Sequence, residues 1–146
     1  MNENELTGLL ESLRRMGSDD FNVEVKESAT TLSRDVWETV SAFANTAGGI
    51  IVLGVSERAG FVPVANFETE KVLNQFVAGM GDAGGRGKLA NPPKYTIERV
   101  ELQGTVVLVI TIEELDPSSK PCYVIERGAQ GGSYKRIDDK DVPLSS

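Results

Sequence analysis

Three carboxylates and one lysine are the side chains of this sequence whose types and spacing could do chemistry. Asp19 precedes the first predicted strand, Glu24 lies on that strand, and Glu57 follows the predicted central strand. Because a β-α-β unit makes the two strands neighbours, we expect the three carboxylates to converge at one end of the sheet. Three carboxylates can hold Mg²⁺ or Mn²⁺, which would activate water and screen a scissile phosphate. Lys26, on the same face as Glu24, would stabilise the charge that develops on the phosphate.

The residues that the sequence lacks narrow this chemistry. It contains no histidine and one cysteine, Cys122, which excludes Ser-His-Asp and Cys-His nucleophiles, Cys/His zinc sites and an internal disulfide within the chain. The glycine-rich residues 81–88 are not a P-loop, because Asp82 stands at the first glycine position and Leu89 at the hydroxyl position. We therefore expect no ATP site in this chain. Acidic residues are also common at strand ends, so a purely structural interpretation of the three carboxylates stays open.

Charge is distributed unevenly along the chain. The 146 residues carry 15 basic and 22 acidic side chains, a net charge of −7, of which residues 1–75 contribute −6 and residues 76–146 contribute −1. An acidic protein disfavours nucleic acid unless its positive charge is segregated, so the second half supplies the candidate nucleic-acid contacts. These are Lys88, Lys94, Arg99, Lys120, Arg127, Lys135 and Arg136. A solvated sheet face explains each of them individually as well.

The hydrophobic pattern predicts one α+β domain around a mixed β-sheet, with about three helices and six or seven strands. Apolar residues at helical spacing predict helices over residues 3–16, 33–45 and 72–80. Strands are predicted over residues 23–26, 50–55, 61–64, 95–102, 105–112, 121–126 and 133–137. Residues 127–132 are expected to form a loop, and the chain to end without a closing element.

Targeting features are absent from the sequence pattern. The longest apolar run, residues 49–55, is far shorter than the roughly 18 residues of a membrane helix. No basic segment precedes an apolar stretch at the start of the chain, so we expect no signal peptide. With a single cysteine, the predicted location is the reducing cytoplasm.

The most specific string in the sequence lies between the second helix and the central strand. Residues 42–55 read AFANTAGGIIVLGV. A helix that turns directly into a buried strand needs glycines and a side chain that binds backbone groups. This requirement gives a structural role to Asn45, Gly48, Gly49 and Gly54.

Together with VEVKES at residues 23–28, this string closely resembles the Schlafen AlbA-type domain family, formerly called divergent AAA domains. The resemblance extends over residues 5–142. It implies an AlbA-like domain at residues 19–142, with residues 1–18 as an amphipathic helix packed on it. Residues 143–146 are then the start of a further C-terminal segment.

Three alternative functions stay open, and the resemblance implies the first two. Bacterial members are described as DNA-binding modules of transcriptional regulators, which makes DNA or structured RNA the expected partner. Eukaryotic Schlafens cleave transfer and ribosomal RNA with three metal-binding carboxylates, whose positions match Asp19, Glu24 and Glu57. A metal-dependent endoribonuclease is therefore the second alternative, and whether the chain is an enzyme stays open. The third, which the net charge of −7 favours, is a protein-interaction or dimerisation module, with a homodimer as one expected assembly.

Overall fold

The computed structural model describes residues 1–144, and its centre is a four-stranded mixed sheet. The α-helices are Glu3–Met16 (α1), Val36–Asn45 (α2), Thr69–Gly79 (α3) and Gly128–Gly132 (α4), with 3₁₀ turns at Pro117–Ser119 and Ile125–Arg127. The strands are Val23–Lys26 (β1), Gly49–Leu53 (β2), Val55–Ser56 (β3), Val62–Pro63 (β4), Leu89–Ala90 (β5), Tyr95–Leu102 (β6), Thr105–Ile112 (β7), Tyr123–Val124 (β8), Tyr134–Ile137 (β9) and Lys140–Pro143 (β10). The predicted α+β class is confirmed.

The central sheet has the strand order β1-β2-β7-β6 and is covered on both faces. Only β1 and β2 run parallel, with Val23 beside Ile50 and Lys26 beside Leu53. On one face, α1 buries its leucines against the valines of the sheet. On the other face, α2 and α3 bury a core that includes Phe43. This arrangement leaves β1 and β6 as the two edges of the sheet.

The chain connects α2 to β2 through Gly48 and Gly49, as the motif predicts. Gly48 has φ +72°, a left-handed conformation that favours glycine. A Cβ on Gly49 would lie 2.8 Å from the Phe43 ring, too close for any side chain. The two glycines therefore let the last turn of α2 pack directly on the strand that follows it.

Four details of the predicted elements are wrong. The predicted strand 121–126 is limited to Tyr123–Val124, and the 3₁₀ turn Ile125–Arg127 follows it. The predicted strand 50–55 is broken by Gly54, whose φ of +98° separates β2 from β3. The predicted loop 127–132 contains the short helix α4. The chain also has a closing element that the pattern missed, since β10 pairs antiparallel with β9. Of the proposed C-terminal segment 143–146, residues 145 and 146 lie outside the described part of the chain.

Candidate functional site

The three predicted catalytic carboxylates meet at the open edge of β1. The Oδ1 atom of Asp19 accepts a hydrogen bond from the Val25 backbone N–H at 3.2 Å, which occupies one outward-facing donor of this edge strand. Burial, followed by the hydrogen bond with Glu24 and the negative charges of Glu24 and Glu57, raises the pKa of Asp19 to about 9. At neutral pH the Asp19 carboxyl is therefore protonated, and its proton is shared with the Glu24 carboxylate.

Arg136 holds this acidic cluster against the hairpin of β9 and β10. Its Nη1 atom lies 2.8 Å from Glu24 Oε1 and 2.8 Å from Asp141 Oδ1. The remaining guanidinium nitrogens donate to backbone carbonyl oxygens of residues 20–23. Arg136 is only 3% exposed, and its guanidinium lies over the Phe43 ring. The Arg136 guanidinium is therefore bound inside the protein, and its burial does not support the prediction that Arg136 contacts nucleic acid.

The cluster does not fit a divalent metal ion. Among residues 1–144, no three His, Cys, Asp or Glu side chains form a group that could hold one. Metal ligation needs ionised carboxylates with free oxygen atoms. In the metal-free protein Asp19 holds a proton and Glu24 is bound to Arg136, so a cation would have to displace both the proton and the Arg136 contact. The metal-dependent nuclease predicted at this position is not supported by this arrangement.

We expect millimolar MnCl₂ or MgCl₂ to leave the melting temperature of the protein unchanged. A cation at a free concentration of 100 times its Kd would raise the free energy of unfolding by about 2.7 kcal/mol, a change that thermal unfolding detects easily. Titration calorimetry with the same salts should show no binding heat. A rise in melting temperature that disappears in Glu57→Gln would contradict this expectation and restore the metal site.

Lys26 does not face an open reaction site. Its ammonium group lies 3.1 Å from Asp35 Oδ1, just before α2. This ion pair ties the edge strand to the start of the helix, on the face that Glu24 shares. The predicted role in stabilising a phosphate transition state is therefore not supported by the contacts of Lys26.

Asn45 connects helix α2 to two segments that are distant from it in the sequence. Its Nδ2 atom donates to the carbonyl oxygens of Cys122 and Tyr134, each at 2.9 Å. Its Oδ1 atom accepts from the Cys122 backbone N–H at 2.8 Å. The amide thereby joins α2 to β9 and to the segment before β8, so the motif residue has a structural position.

Several of the predicted nucleic-acid contacts are instead paired with acidic side chains. Arg99 forms two hydrogen bonds of 2.7 Å with Glu70. Lys120 lies 2.6 Å from Glu114. Lys94 borders a depression that is also lined by Glu113, Glu114 and Asp116. These three basic residues do not form a common positive surface.

Two of the predicted contacts, Lys88 and Arg127, do lie together in a surface depression. They share it with Arg34, which precedes α2, and the neighbouring part of the depression adds Arg86. We call this surface the basic groove and define it by Arg34, Arg86, Lys88, Arg127 and the indole of Trp37. Arg34, which lies in the acidic half, and Arg86, which lies in the rejected P-loop segment, were not predicted from the sequence.

The floor of the basic groove is built around Trp37. Its ring stacks on Phe76 of α3, with ring centroids 5.4 Å apart and an interplanar angle of 21°. A Cβ on Gly79 would lie 2.0 Å from the indole, so only glycine allows this approach of α2 to α3. Lys88 is fixed beside them, because its N–H donates to the Gly79 carbonyl and its own carbonyl accepts from Ile125.

Positive charge predominates in the basic groove although the protein is acidic. Its four basic side chains are accompanied by Glu38 and Glu126, which leaves a local charge of +2 against −7 for the whole chain. Glu38 pairs with Arg127 at 3.1 Å. Arg34, Arg86 and Lys88 reach the surface, and no salt bridge involves them among residues 1–144. The groove therefore presents free cationic groups to a ligand.

Residues 19–145, nearly the whole chain, match the family described as Schlafen, AlbA_2. The chain belongs to this family. The predicted family resemblance is thereby confirmed, and the match includes residues 42–55, its most specific string. No curated protein sequence matches the chain.

Two of the solved structures that resemble this AlbA_2 domain illustrate the relation. One is the N-terminal domain of a protein from Nitrosomonas europaea whose name relates it to the ATP-dependent DNA helicase RecG. It is 28% identical, with a TM-score of 0.68, and the match covers 96% of this chain and 93% of that one. The other is the DIP2311 protein from Corynebacterium diphtheriae, 15% identical with a TM-score of 0.54. That match covers 97% of this chain but 26% of DIP2311, and it shows a common fold alone. No helix among residues 1–144 is long and apolar enough to cross a membrane.

Proposed function

We propose that this AlbA_2 domain binds nucleic acid, and that the basic groove contacts its phosphate groups. The observation that carries the proposal is the segregation of charge. Four basic side chains surround one depression in a protein of net charge −7. Lysine and arginine side chains that neutralise phosphates supply most of the affinity of non-specific nucleic-acid binding. The relative from Nitrosomonas europaea, whose name points to a DNA helicase, supports the same class of ligand.

The wider assignment, to a bacterial transcriptional regulator located in the cytoplasm, is supported by the resemblance of the sequence. It stays a proposal, as does the formation of a homodimer. The endoribonuclease alternative is not supported by the acidic cluster, because the contacts of Asp19 and Glu24 leave no metal-binding group there among residues 1–144.

We expect fluorescently labelled DNA and stem-loop RNA to bind this protein with an affinity that falls steeply as salt rises. The double variant Arg86→Gln/Lys88→Gln should weaken binding at low salt by at least about tenfold. It should also reduce the slope of log K against log salt by about 1 to 2, because each lost phosphate contact contributes about 0.7–0.9 to that slope. Fluorescence anisotropy over a NaCl series measures both quantities.

The matched control is Arg15→Gln/Lys140→Gln, which removes the same two charges from exposed positions outside the groove. Arg15 lies on α1, on the opposite face of the sheet from α2 and α3. Absence of binding to every nucleic acid at low salt would refute the proposed function. Equal loss of affinity in both double variants would refute the assignment to the basic groove.

A further inference from the structure

The basic groove is one branched depression, and Lys88 stands at its junction. A small part of about 100 Å³ lies between Arg34 and Arg127, over the indole of Trp37. A larger part of about 410 Å³ extends from Trp37 towards Gln75 and Arg86. A third part of about 260 Å³ runs from Arg86 along the 3₁₀ turn that follows β8. Lys88 lines all three parts, so they form a continuous path across the surface.

Within the described residues 1–144, this path has no protruding helix or β-ribbon of the kind that reads the bases of a duplex. A nucleic-acid duplex is a convex rod, and proteins that read its bases insert a protruding helix or β-ribbon into its grooves. The basic groove is a shallow depression, with the exposed side chains of Arg34, Arg86 and Lys88 along it and the mostly buried Trp37 among its lining residues. A single strand is thin and flexible enough to follow such a depression and to turn its bases towards the lining residues.

The lining of the path combines the two components that a single strand needs. Arg34, Arg86 and Lys88 reach solvent at the rim, where they can neutralise successive phosphates. The lining between them includes the apolar residues Leu32, Trp37, Ala78, Val124 and Ile125, together with the polar Thr31 and Gln75 and the carboxylates of Glu38 and Glu126. Non-specific binders of single strands join a positively charged groove to aromatic side chains on which bases stack.

We infer that the basic groove binds single-stranded nucleic acid in preference to duplex. This inference rests on the proposed function and specifies its ligand. The phosphates lie against Arg34, Arg86 and Lys88, and a base packs against the indole edge of Trp37. Because Trp37 is 8% exposed, a base meets the edge of its ring and does not insert between Trp37 and Phe76.

The test compares oligothymidylate and oligouridylate with a blunt DNA duplex of the same length and at the same low salt. Trp37 is the only tryptophan of the chain, so its emission reports on the floor of the groove. We expect the single strands to bind at least about tenfold more tightly than the duplex and to quench this emission. Lys88→Gln should weaken single-strand binding, whereas the control Lys140→Gln should leave it unchanged.

The outcomes separate the inference from the proposed function. A duplex that binds as tightly as the single strands would overturn the single-strand inference and leave nucleic-acid binding standing. Single-strand binding that leaves the Trp37 emission unchanged, or that is insensitive to Lys88→Gln, would overturn the placement in the groove. Absence of binding by all three probes would overturn the inference and the proposed function together.

Discussion

Replacing Arg136 with methionine is expected to lower the free energy of unfolding by about 3–5 kcal/mol. The substitution keeps an unbranched, apolar stem but removes the group that binds Glu24, Asp141 and three backbone carbonyl oxygens. Two carboxylates would then lose their only basic partner among the residues that the structure describes. Truncating one partner of a buried charge network is costly, because the opposite charges stay buried without compensation. Urea unfolding followed by circular dichroism measures the loss.

The control for this prediction is Arg99→Met, which removes the same side chain from an exposed ion pair. Arg99 also forms two hydrogen bonds with a carboxylate, that of Glu70, but both side chains are more than half exposed. Exposed ion pairs contribute about 0–1 kcal/mol, so we expect a correspondingly small change. Equal destabilisation by the two substitutions would mean that the buried network does not hold the hairpin to the sheet.

The comparison of Arg136 with Arg99 also shows why basic residues were misassigned from the sequence. Both lie on predicted strands as charged residues among apolar ones, which is compatible with a solvated face of the strand. Whether that face meets solvent or another part of the chain depends on tertiary packing. For Arg136 the face packs on β1 and α2, because the β9–β10 hairpin folds back over them. The spacing of residues along one strand does not reveal a contact with a distant segment.

The central sheet, by contrast, was predictable because its determinants are local. The boundaries of β1, β6 and β7 agree with the predicted ones, since each strand is rich in β-branched and apolar residues and the turn between β6 and β7 has its own signal. The turn between β6 and β7 uses Gln103 and Gly104, both with positive φ, where the sequence shows Gln-Gly. The glycines after α2 could be identified for the same reason, because a short connection requires them.

The basic groove was only half predictable. Lys88 and Arg127 were selected because they lie in the less acidic half of the chain. Arg34 and Arg86 come from other segments, and only the approach of α2 to α3 at Gly79 brings them beside Lys88. The local pattern that could have suggested Arg86 is the glycine-rich segment, which lacks the P-loop residues but still presents cations at the surface.

The sequence predicted that the three carboxyl groups would meet, but it did not predict that one of them, Asp19, would be protonated. Sequence spacing gives the positions of carboxyl groups and says nothing of their protonation. The burial of Asp19 against the edge of β1 decides that property, since it raises the pKa of this carboxyl to about 9. The same burial means that Asp19 lowers the free energy of unfolding at neutral pH, and this loss can be measured.

Asp19→Asn is therefore expected to stabilise the protein, by at least about 2 kcal/mol at pH 8. An aspartate side chain in the unfolded chain has its ordinary pKa of 3.8, whereas the pKa of Asp19 in the folded protein is about 9. Below pH 3.8 both states hold the proton, so the stability of the wild type is complete there. As pH rises towards 9, the unfolded chain releases the proton and the folded chain retains it, so wild-type stability falls. Asparagine carries no such proton, while its Oδ1 can still accept from Val25 and its Nδ2 can donate to Glu24.

The expected result is thus a stability difference between Asp19→Asn and wild type that grows from about pH 5 to about pH 8, measured by urea unfolding at each pH. The control is Asp20→Asn, which removes the same charge from the neighbouring residue, whose Oδ1 accepts from the Phe21 backbone N–H. A difference that does not grow with pH, or that grows equally in both variants, would show that Asp19 is ionised in the folded protein. In that case the acidic cluster would regain three charged carboxylates, and the metal-binding interpretation of this edge would be open again.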